Sequence, residues 1–158
     1  MGKRKMSVET LYRRVNDEYS TPAWLYDGLF KGWFDPCPLK SLTKNSVDGL
    51  SIEWKGDKIF VNPPYSNPLP WVEKAIEEAK KGKTVVLLLK HDSSTAWWRM
   101  LHEAGAHFLP IMGRLCFNGK PAPFPSVLVV LYGKELASQQ APKRHFRGSP
   151  AARNIAQA

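Results

Sequence analysis

The stretch KIFVNPPYSNPLPWVEKAIEEAKKGKTVVLLL, residues 58–89, predicts a strand, a helix and a second strand in direct succession. Lys58–Asn62 is centred on apolar residues and ends at Pro63-Pro64, because proline has no N–H to donate to a sheet. Trp71–Ala79 carries an apolar stripe opposite charged residues, which is typical of an amphipathic helix. Thr84–Leu89 is almost entirely apolar, as expected for a strand that is covered on both faces of the sheet.

The residues before this unit predict a short helix and a short strand. Thr21 can cap a helix whose first position is Pro22, and Gly32 is placed to end it. Trp33–Asp35 then predicts a short strand, and Leu39–Trp54 predicts a loop.

The residues after the unit predict another helix and two more strands. Ser94 or Thr95 can cap a second amphipathic helix, and His107–Met112 and Ser126–Tyr132 have the composition of strands. Residues 113–125, which are rich in Gly and Pro, predict a loop between those strands.

Alternation of strands and helices is the pattern of an α/β sheet with parallel crossovers. Ligands in such sheets bind at the carboxyl ends of the strands. In this chain those ends follow Trp33–Asp35, Ile59–Asn62 and Thr84–Leu89, so we expect functional residues at these three places.

Length and charge restrict the class of protein. The chain has 158 residues, of which 43% are hydrophobic, and this is enough for one packed core. Its 23 Lys and Arg exceed its 14 Asp and Glu, which gives a formal net charge of +9 and favours a polyanionic partner such as nucleic acid. We expect one domain over residues 21–133, between a basic N-terminal arm (1–20) and a basic, mobile tail (134–158).

Several function classes are excluded at this level. No apolar run approaches the roughly 20 residues that a membrane-spanning helix needs, and no apolar segment of a secretory signal follows the basic N-terminus. Cys37 and Cys116 do not suggest a disulfide scaffold, and with four scattered His they form no recognisable set of metal ligands. We therefore expect a cytoplasmic protein without a metal.

The turn Asn62–Tyr65 carries the sharpest chemical signal, since it follows a strand and precedes a helix. The Asn62 side chain and the Pro63 carbonyl offer two acceptors that can hold both hydrogens of an exocyclic amine and leave its lone pair free. Tyr65 offers a face on which a planar group can stack. The alternative is a strand-ending proline turn in which the tyrosine belongs to the core.

The same four residues resemble the NPPY motif of S-adenosylmethionine-dependent amino-methyltransferases. The resemblance is closest to the phage-type Dam DNA N6-adenine methyltransferases and covers about residues 20–133. The other shared motifs occur in the same order: Thr21-Pro22-x-Trp24, Phe34-Asp35-Pro36-Cys37, Asp48-Gly49-Leu50 with Trp54, and Ala122-Pro123-Phe124-Pro125-Ser126.

This resemblance implies an α/β fold of the reduced Rossmann-like class I methyltransferase type, with a mostly parallel sheet, an antiparallel C-terminal strand and flanking helices. It implies S-adenosylmethionine as cofactor, DNA as partner, and the host cytoplasm as location if the chain is encoded by a phage. The implied catalytic residues are Asn62, Pro63, Pro64 and Tyr65, and the resemblance implies that Asn62, Pro63 and Tyr65 hold and stack a flipped adenine. The implied cofactor-binding residues are Thr21, Trp24, Asp35, Pro36, Cys37 and Asp48.

Two points modify this interpretation. The chain has no Gly-rich turn after its first strand and carries Asp35-Pro36-Cys37-Pro38 there instead. Asp35 and Asp48 are also residues that commonly cap turns, and Trp24 could be a core residue. Methyl transfer to nitrogen requires positioning more than acid–base chemistry, so Cys37 is expected to pack rather than to act as a nucleophile.

The loop before the last strand suggests a DNA contact. Arg114, Lys120 and Phe124 are available there for phosphates or for the gap that base flipping leaves, although a solvated surface loop is the simpler alternative. Two other functions stay open: methylation of an RNA base or a protein glutamine amide, and a non-catalytic nucleic-acid-binding module on the same fold.

Overall fold

A computed structural model of the chain describes residues 19–38 and 48–133. Most of the predicted arm (1–20) and all of the predicted tail (134–158) lie outside the described residues, and the division into arm, domain and tail stays a prediction. The helices are α1 (Ala23–Leu25, continued by a wider helical turn over Tyr26–Phe30), α2 (Leu69–Lys80) and α3 (Ala96–Glu103). The strands are β1 (Lys58–Val61), β2 (Thr84–Lys90), β3 (His107–Pro110), β4 (Cys116–Phe117), β5 (Lys120–Pro121) and β6 (Ser126–Tyr132).

Four of the strands form a mixed sheet in the order β1-β2-β6-β3. β1 and β2 are parallel, and β6 is antiparallel to both β2 and β3. β1, β2 and β3 therefore run in one direction and β6, which lies between β2 and β3, runs in the other, which confirms the expected antiparallel C-terminal strand. The predicted strand Trp33–Asp35 is reduced to a single parallel bridge from Phe34 to Ile59.

Strand side chains alternate between the two sheet faces, and each face has its own core. Ile59, Val61 and the odd-numbered residues of β2 and β6 pack against α2 and α3. Phe60 and the even-numbered apolar residues of β2 and β6 face the opposite side, where α1 and the loop before β6 cover them. The sheet is covered on both faces, as the apolar succession in β2 predicts.

The structure confirms the predicted N-cap of α3 and contradicts that of α1. Thr95 accepts a hydrogen bond from the Trp98 N–H at 3.3 Å and caps α3 as expected. Thr21 does not cap α1, and the prediction of that cap is wrong. Its hydroxyl instead accepts a hydrogen bond from Asn62, which removes it from the helix end.

The loop predicted over residues 113–125 contains a two-stranded hairpin, β4–β5, that the sequence analysis did not predict. Asn118 and Gly119 both have positive φ, 51° and 76°, as the turn of a tight hairpin requires. Leu115, Phe117 and Ala122 from this region are buried against the sheet, so the hairpin is part of the core.

No helix within residues 19–38 or 48–133 is both long enough and apolar enough to cross a membrane.

Candidate active site

The Asn62 side chain is fixed at the carboxyl end of β1 by residues from the start of the described chain. Its Nδ2 donates to the Tyr19 carbonyl at 2.7 Å and to the Thr21 Oγ1 at 3.1 Å. A carbonyl can only accept, so the amide must present its NH2 group to Tyr19. Among the described residues both of its hydrogen bonds leave from Nδ2, and Oδ1 is the acceptor that stays available.

The two prolines that follow use their carbonyls differently. The Pro64 carbonyl accepts the Asn67 N–H at 3.2 Å and closes a turn. No backbone N–H of the described residues bonds to the Pro63 carbonyl. A carboxamide oxygen and a backbone carbonyl therefore lie next to each other in sequence, each with free acceptor capacity toward a donor.

Tyr65 lies in a group of rings that we call the aromatic cluster: Tyr19, Tyr65, Phe117 and Phe124. Ring centroids in the cluster are 5.3 Å apart for Tyr65 and Tyr19 and 5.0 Å apart for Tyr65 and Phe124, in tilted or edge geometries. The tyrosine is buried, and within the described part of the chain its hydroxyl has no hydrogen-bond partner. Burial, and then the neighbouring Tyr19, raises the pKa of Tyr65, so the phenol is neutral at physiological pH.

Lys90, the last residue of β2, adds a positive charge to the cluster. Its Nζ lies 4.7 Å from the ring centroid of Phe124 and 5.8 Å from that of Tyr65, within the range of cation–π attraction. β1 and β2 are parallel, with Val61 opposite Leu87, so Lys90 and Asn62 extend from the same end of the sheet. This is the end at which the sequence analysis expects ligands.

Asp35 lies beside β1 at the same end of the sheet. The Phe34 N–H donates to the Lys58 carbonyl at 3.0 Å, which aligns this segment with β1. The Asp35 Oδ1 accepts the Cys37 N–H at 2.9 Å, so the carboxylate does cap a turn. Burial raises the pKa of the Asp35 carboxyl, and that hydrogen bond opposes the rise.

Gly49 allows the loop that contains it to pack closely against the loop that contains Asp35. A Cβ at Gly49 would overlap the Pro36 carbonyl oxygen and lie 2.9 Å from the Trp71 ring, so no other residue fits without a shift. The Gly49 carbonyl also accepts the indole N–H of the fully buried Trp54 at 2.8 Å. These contacts explain the spacing of the Asp48-Gly49 turn from Trp54, and they hold that turn against Asp35-Pro36-Cys37.

The other residues with an expected cofactor role differ in their surroundings. The Asp48 carboxylate is exposed and accepts the Leu50 N–H at 3.0 Å, which is the turn-capping alternative. Cys37 is partly buried against the core. Trp24 is 66% exposed, so it is not a core residue and is open to a ligand. Thr21 is placed on Asn62 rather than at a helix end.

The three residues with an expected DNA role are separated by the structure. Arg114 is exposed and donates from Nη1 to the Ala122 carbonyl at 3.4 Å, and Lys120 is exposed in β5. Phe124 packs into the aromatic cluster beside Tyr65. The first two are open to solvent, whereas the third packs beside the motif at the end of β1.

Three residues of the site were missed by the sequence analysis: Tyr19, Lys90 and Phe117. Lys90 could have been found, because it directly follows a predicted strand that ends beside the motif. Phe117 precedes an Asn-Gly pair, which is a hairpin signal. Tyr19 acts partly through its backbone carbonyl, for which no residue type is a signal. In residues 19–38 and 48–133 no group of three or more His, Cys, Asp or Glu could hold a metal ion.

These features define an α/β protein with a candidate ligand site at the carboxyl ends of its parallel strands, and comparison with known proteins gives its family. The family model described as DNA N-6-adenine-methyltransferase (Dam) matches residues 9–143. The chain belongs to this family.

Two relatives are similar to the chain over part of its length. The DNA N-6-adenine-methyltransferase of Haemophilus phage HP1 is 38% identical over 107 residues, which are 60% of this chain and 62% of that protein. The DNA N-6-adenine-methyltransferase of Escherichia phage T1 is 36% identical over 55 residues, 35% of this chain and 23% of that protein. The chain thus matches less than two thirds of the length of either relative. No solved structure matches it.

Proposed function

We propose that this protein transfers a methyl group from S-adenosylmethionine to the N6 amine of adenine in DNA, on a reduced Rossmann-like methyltransferase fold. Family membership supports the reaction, and the names of both phage relatives support the substrate. The observation that carries the proposal is the Asn62 carboxamide, whose NH2 group is bound on one side so that Oδ1 is available on the other.

The acceptor pair matches the amine of adenine. An exocyclic amine presents two N–H donors in the plane of its base, and the Asn62 Oδ1 and the Pro63 carbonyl can accept one each. Both hydrogens are then occupied, and the nitrogen lone pair is directed at the electrophile. The Tyr19 carbonyl prevents the amide from flipping, because a flipped amide would set its Oδ1 against another acceptor, and Thr21 adds a second hydrogen bond to the same NH2 group.

The residues around Asp35 fit the cofactor. The half-buried carboxyl uses Oδ1 for the Cys37 N–H, and its other oxygen can accept from a hydroxyl or a positively charged amine of the ligand. Its raised pKa indicates a group that such a donor would stabilise. The close approach of Gly49 to Pro36 holds together the two loops that carry Cys37 and Asp48, which we assign to cofactor binding. We include Trp24 in this assignment because its exposed ring is open to a ligand. When bound, S-adenosylmethionine supplies a methyl group made electrophilic by its sulfonium.

Positioning is then the main task of the chain. Asn62 and Pro63 hold the amine, Pro64 shapes the turn, and Tyr65 offers an aromatic surface to the base. The aromatic cluster packs on the sheet beside this turn. None of these groups needs to accept a proton before the transfer, because the neutral amine is the nucleophile.

The chain also has the charge that DNA binding needs. Its formal net charge is +9, and Arg114 and Lys120 are exposed on or beside the hairpin β4–β5. Phe124, next to Tyr65, can contact the flipped base. We assign the reaction to the cytoplasm, which is that of the host cell if a phage encodes the chain.

The test is mass spectrometry of nucleosides from duplex DNA incubated with the protein and S-adenosylmethionine. We expect N6-methyladenine with the wild type and a loss of about a hundredfold or more with Asn62→Ala, because the amine loses an oriented acceptor. Asn67→Ala is the matched control, since Asn67 is exposed in the same turn and makes its hydrogen bond through the backbone.

The same test distinguishes the two alternative functions, a different methyl acceptor and a non-catalytic binding module. Methylation of RNA or of a protein glutamine amide, with DNA unmodified, would assign the site to a different planar amine. Absence of S-adenosylmethionine binding by the wild type, measured by calorimetry, would favour a non-catalytic nucleic-acid-binding module.

A further inference from the structure

Ser126 and Lys90 lie opposite each other on the two central strands. β2 and β6 are antiparallel, and their register pairs Lys90 with Ser126 at the end of the sheet that carries Asn62. Side chains alternate along a strand, so Ser126 shares a face with Leu128 and Lys90 shares that face with Leu88. This is the face on which the aromatic cluster packs.

Two hydroxyls on this face are buried without a partner. Ser126 is 0% exposed, Tyr65 is 7% exposed, and neither side-chain oxygen has a hydrogen-bond partner among the described residues. Buried polar groups in folded proteins are almost always hydrogen-bonded, and each exception calls for an explanation. Two exceptions on one face, both next to Lys90, indicate a polar ligand that the free protein does not supply.

The Lys90 ammonium completes the group. It lies over the rings of Phe124 and Tyr65, and it has no carboxylate within 4.0 Å in the described part of the chain. An ammonium only donates hydrogen bonds, whereas each hydroxyl can donate or accept. Lys90 and Ser126 together therefore suit a ligand with several hydrogen-bond acceptors.

We propose that Lys90 and Ser126 form a polar subsite beside the aromatic cluster that binds ring-nitrogen acceptors of the target adenine. The proposal rests on the proposed function and extends it from the amine to the rest of the base. Once Asn62 and Pro63 hold the amine, the remaining polar atoms of adenine are ring nitrogens, and the free base edge offers only acceptors. The subsite offers donors to match them.

A phosphate is a poorer fit for the same place. Ser126 is fully buried and the Lys90 ammonium lies over aromatic rings, so a phosphate bound there would have to lose most of its water. The exposed Arg114 and Lys120 are better placed for the DNA backbone.

The first measurement compares Ser126→Ala and Lys90→Met with the wild type on natural DNA. Each variant should lower kcat/KM for DNA by about tenfold, the usual effect of one lost hydrogen bond to a substrate in a desolvated site, and leave the KM for S-adenosylmethionine unchanged. The thermal midpoint of Ser126→Ala should equal or exceed that of the wild type, because an unpartnered buried hydroxyl is removed. A lower midpoint would assign Ser126 a structural partner and overturn its role as a ligand group.

The second measurement identifies the atoms that are bound. DNA is prepared with 7-deazaadenine, 3-deazaadenine or 1-deazaadenine in place of adenine, and kcat/KM is measured for the wild type and the Ser126→Ala and Lys90→Met variants. Tyr65→Phe, which keeps the stacking ring, is the control. At least one analogue should reduce wild-type kcat/KM and reduce it by a smaller factor in a variant, because the variant already lacks the group that binds that nitrogen.

Three results would overturn the proposal. Equal analogue penalties in the wild type and all variants would show that the subsite does not bind the base. A shallower salt dependence of DNA binding in Lys90→Met would assign Lys90 to a phosphate. A raised KM for S-adenosylmethionine would assign the subsite to the cofactor. Loss of wild-type methylation of natural DNA is a separate result, which contradicts the proposed function itself.

Discussion

Replacing Thr21 by valine distinguishes a role in orienting the Asn62 amide from a role in binding the cofactor. Thr21→Val keeps the shape of the side chain and removes the oxygen that accepts from the Asn62 Nδ2 at 3.1 Å. The second anchor, the Tyr19 carbonyl at 2.7 Å, remains. If Thr21 orients the amide, the variant lowers kcat and leaves both KM values close to those of the wild type, because ground-state binding of the base and the cofactor is not affected.

The magnitude follows from the bond that is lost. One hydrogen bond between neutral groups contributes about 1 kcal/mol, which corresponds to about a fivefold fall in kcat. Asn62 is only partly buried, so water can bind the released N–H and the cost to folding stays at or below this value. Thr21→Ser, which keeps the hydroxyl, should retain most of the activity.

The assay is steady-state methyl transfer with DNA and S-adenosylmethionine varied in turn. Thr84→Val is the matched control, because Thr84 begins β2 at the opposite end of the sheet from Asn62. An unchanged kcat with a raised KM for S-adenosylmethionine would refute the positioning role and assign Thr21 to the cofactor, as the family resemblance implies.

The remaining predictions concern the fold and the DNA contact. Gly49→Ala should lower the free energy of unfolding by about 1–3 kcal/mol and weaken S-adenosylmethionine binding in calorimetry, because the new methyl group collides with a backbone oxygen. Gly28→Ala is its control, with nothing within 4 Å, and equal effects of the two would contradict the close approach. Burial raises the pKa of Glu78, but hydrogen bonds from two lysines outweigh burial and hold the pKa below its usual range. Its contribution to stability is therefore present above about pH 4.3 and is lost as the pH falls through the lowered pKa, so Glu78→Gln should flatten that decline in denaturant unfolding; an unchanged pH profile would oppose this. Arg114→Ala should reduce the slope of log Kd for DNA against log salt by about 1, and unchanged affinity at every salt concentration would remove Arg114 from the interface.

Much of the sheet could be predicted from the sequence because its signals are local. β1, α2 and β2 follow from apolar periodicity and from Pro63-Pro64 within one short stretch. The position of Asn62 at a strand end followed from the same stretch. The hairpin β4–β5 also had a local signal, Asn118-Gly119, and was missed because the Gly and Pro content of the segment favoured a loop.

The contacts that orient the site could not be predicted in the same way. Asn62 is bound by residues 41 and 43 positions earlier in the chain, and sequence periodicity carries no information about such a distance. Thr21 was assigned to a helix cap because Thr before Pro is a good local signal, and a tertiary hydrogen bond competed with it successfully. Lys90 lies in the site because β2 extends three residues beyond its pairing with β1, which only the register shows.

One anchor of Asn62 is a backbone carbonyl, and the other is a side chain. Any amino acid at position 19 supplies that carbonyl, so a point mutation at Tyr19 removes its ring from the aromatic cluster and leaves the tether in place. Of the two anchors, only Thr21 acts through its side chain, so only this hydrogen bond depends on the type of amino acid. Natural variation at position 21 should accordingly be restricted to hydroxyl residues, while variation at position 19 follows the space between neighbouring rings.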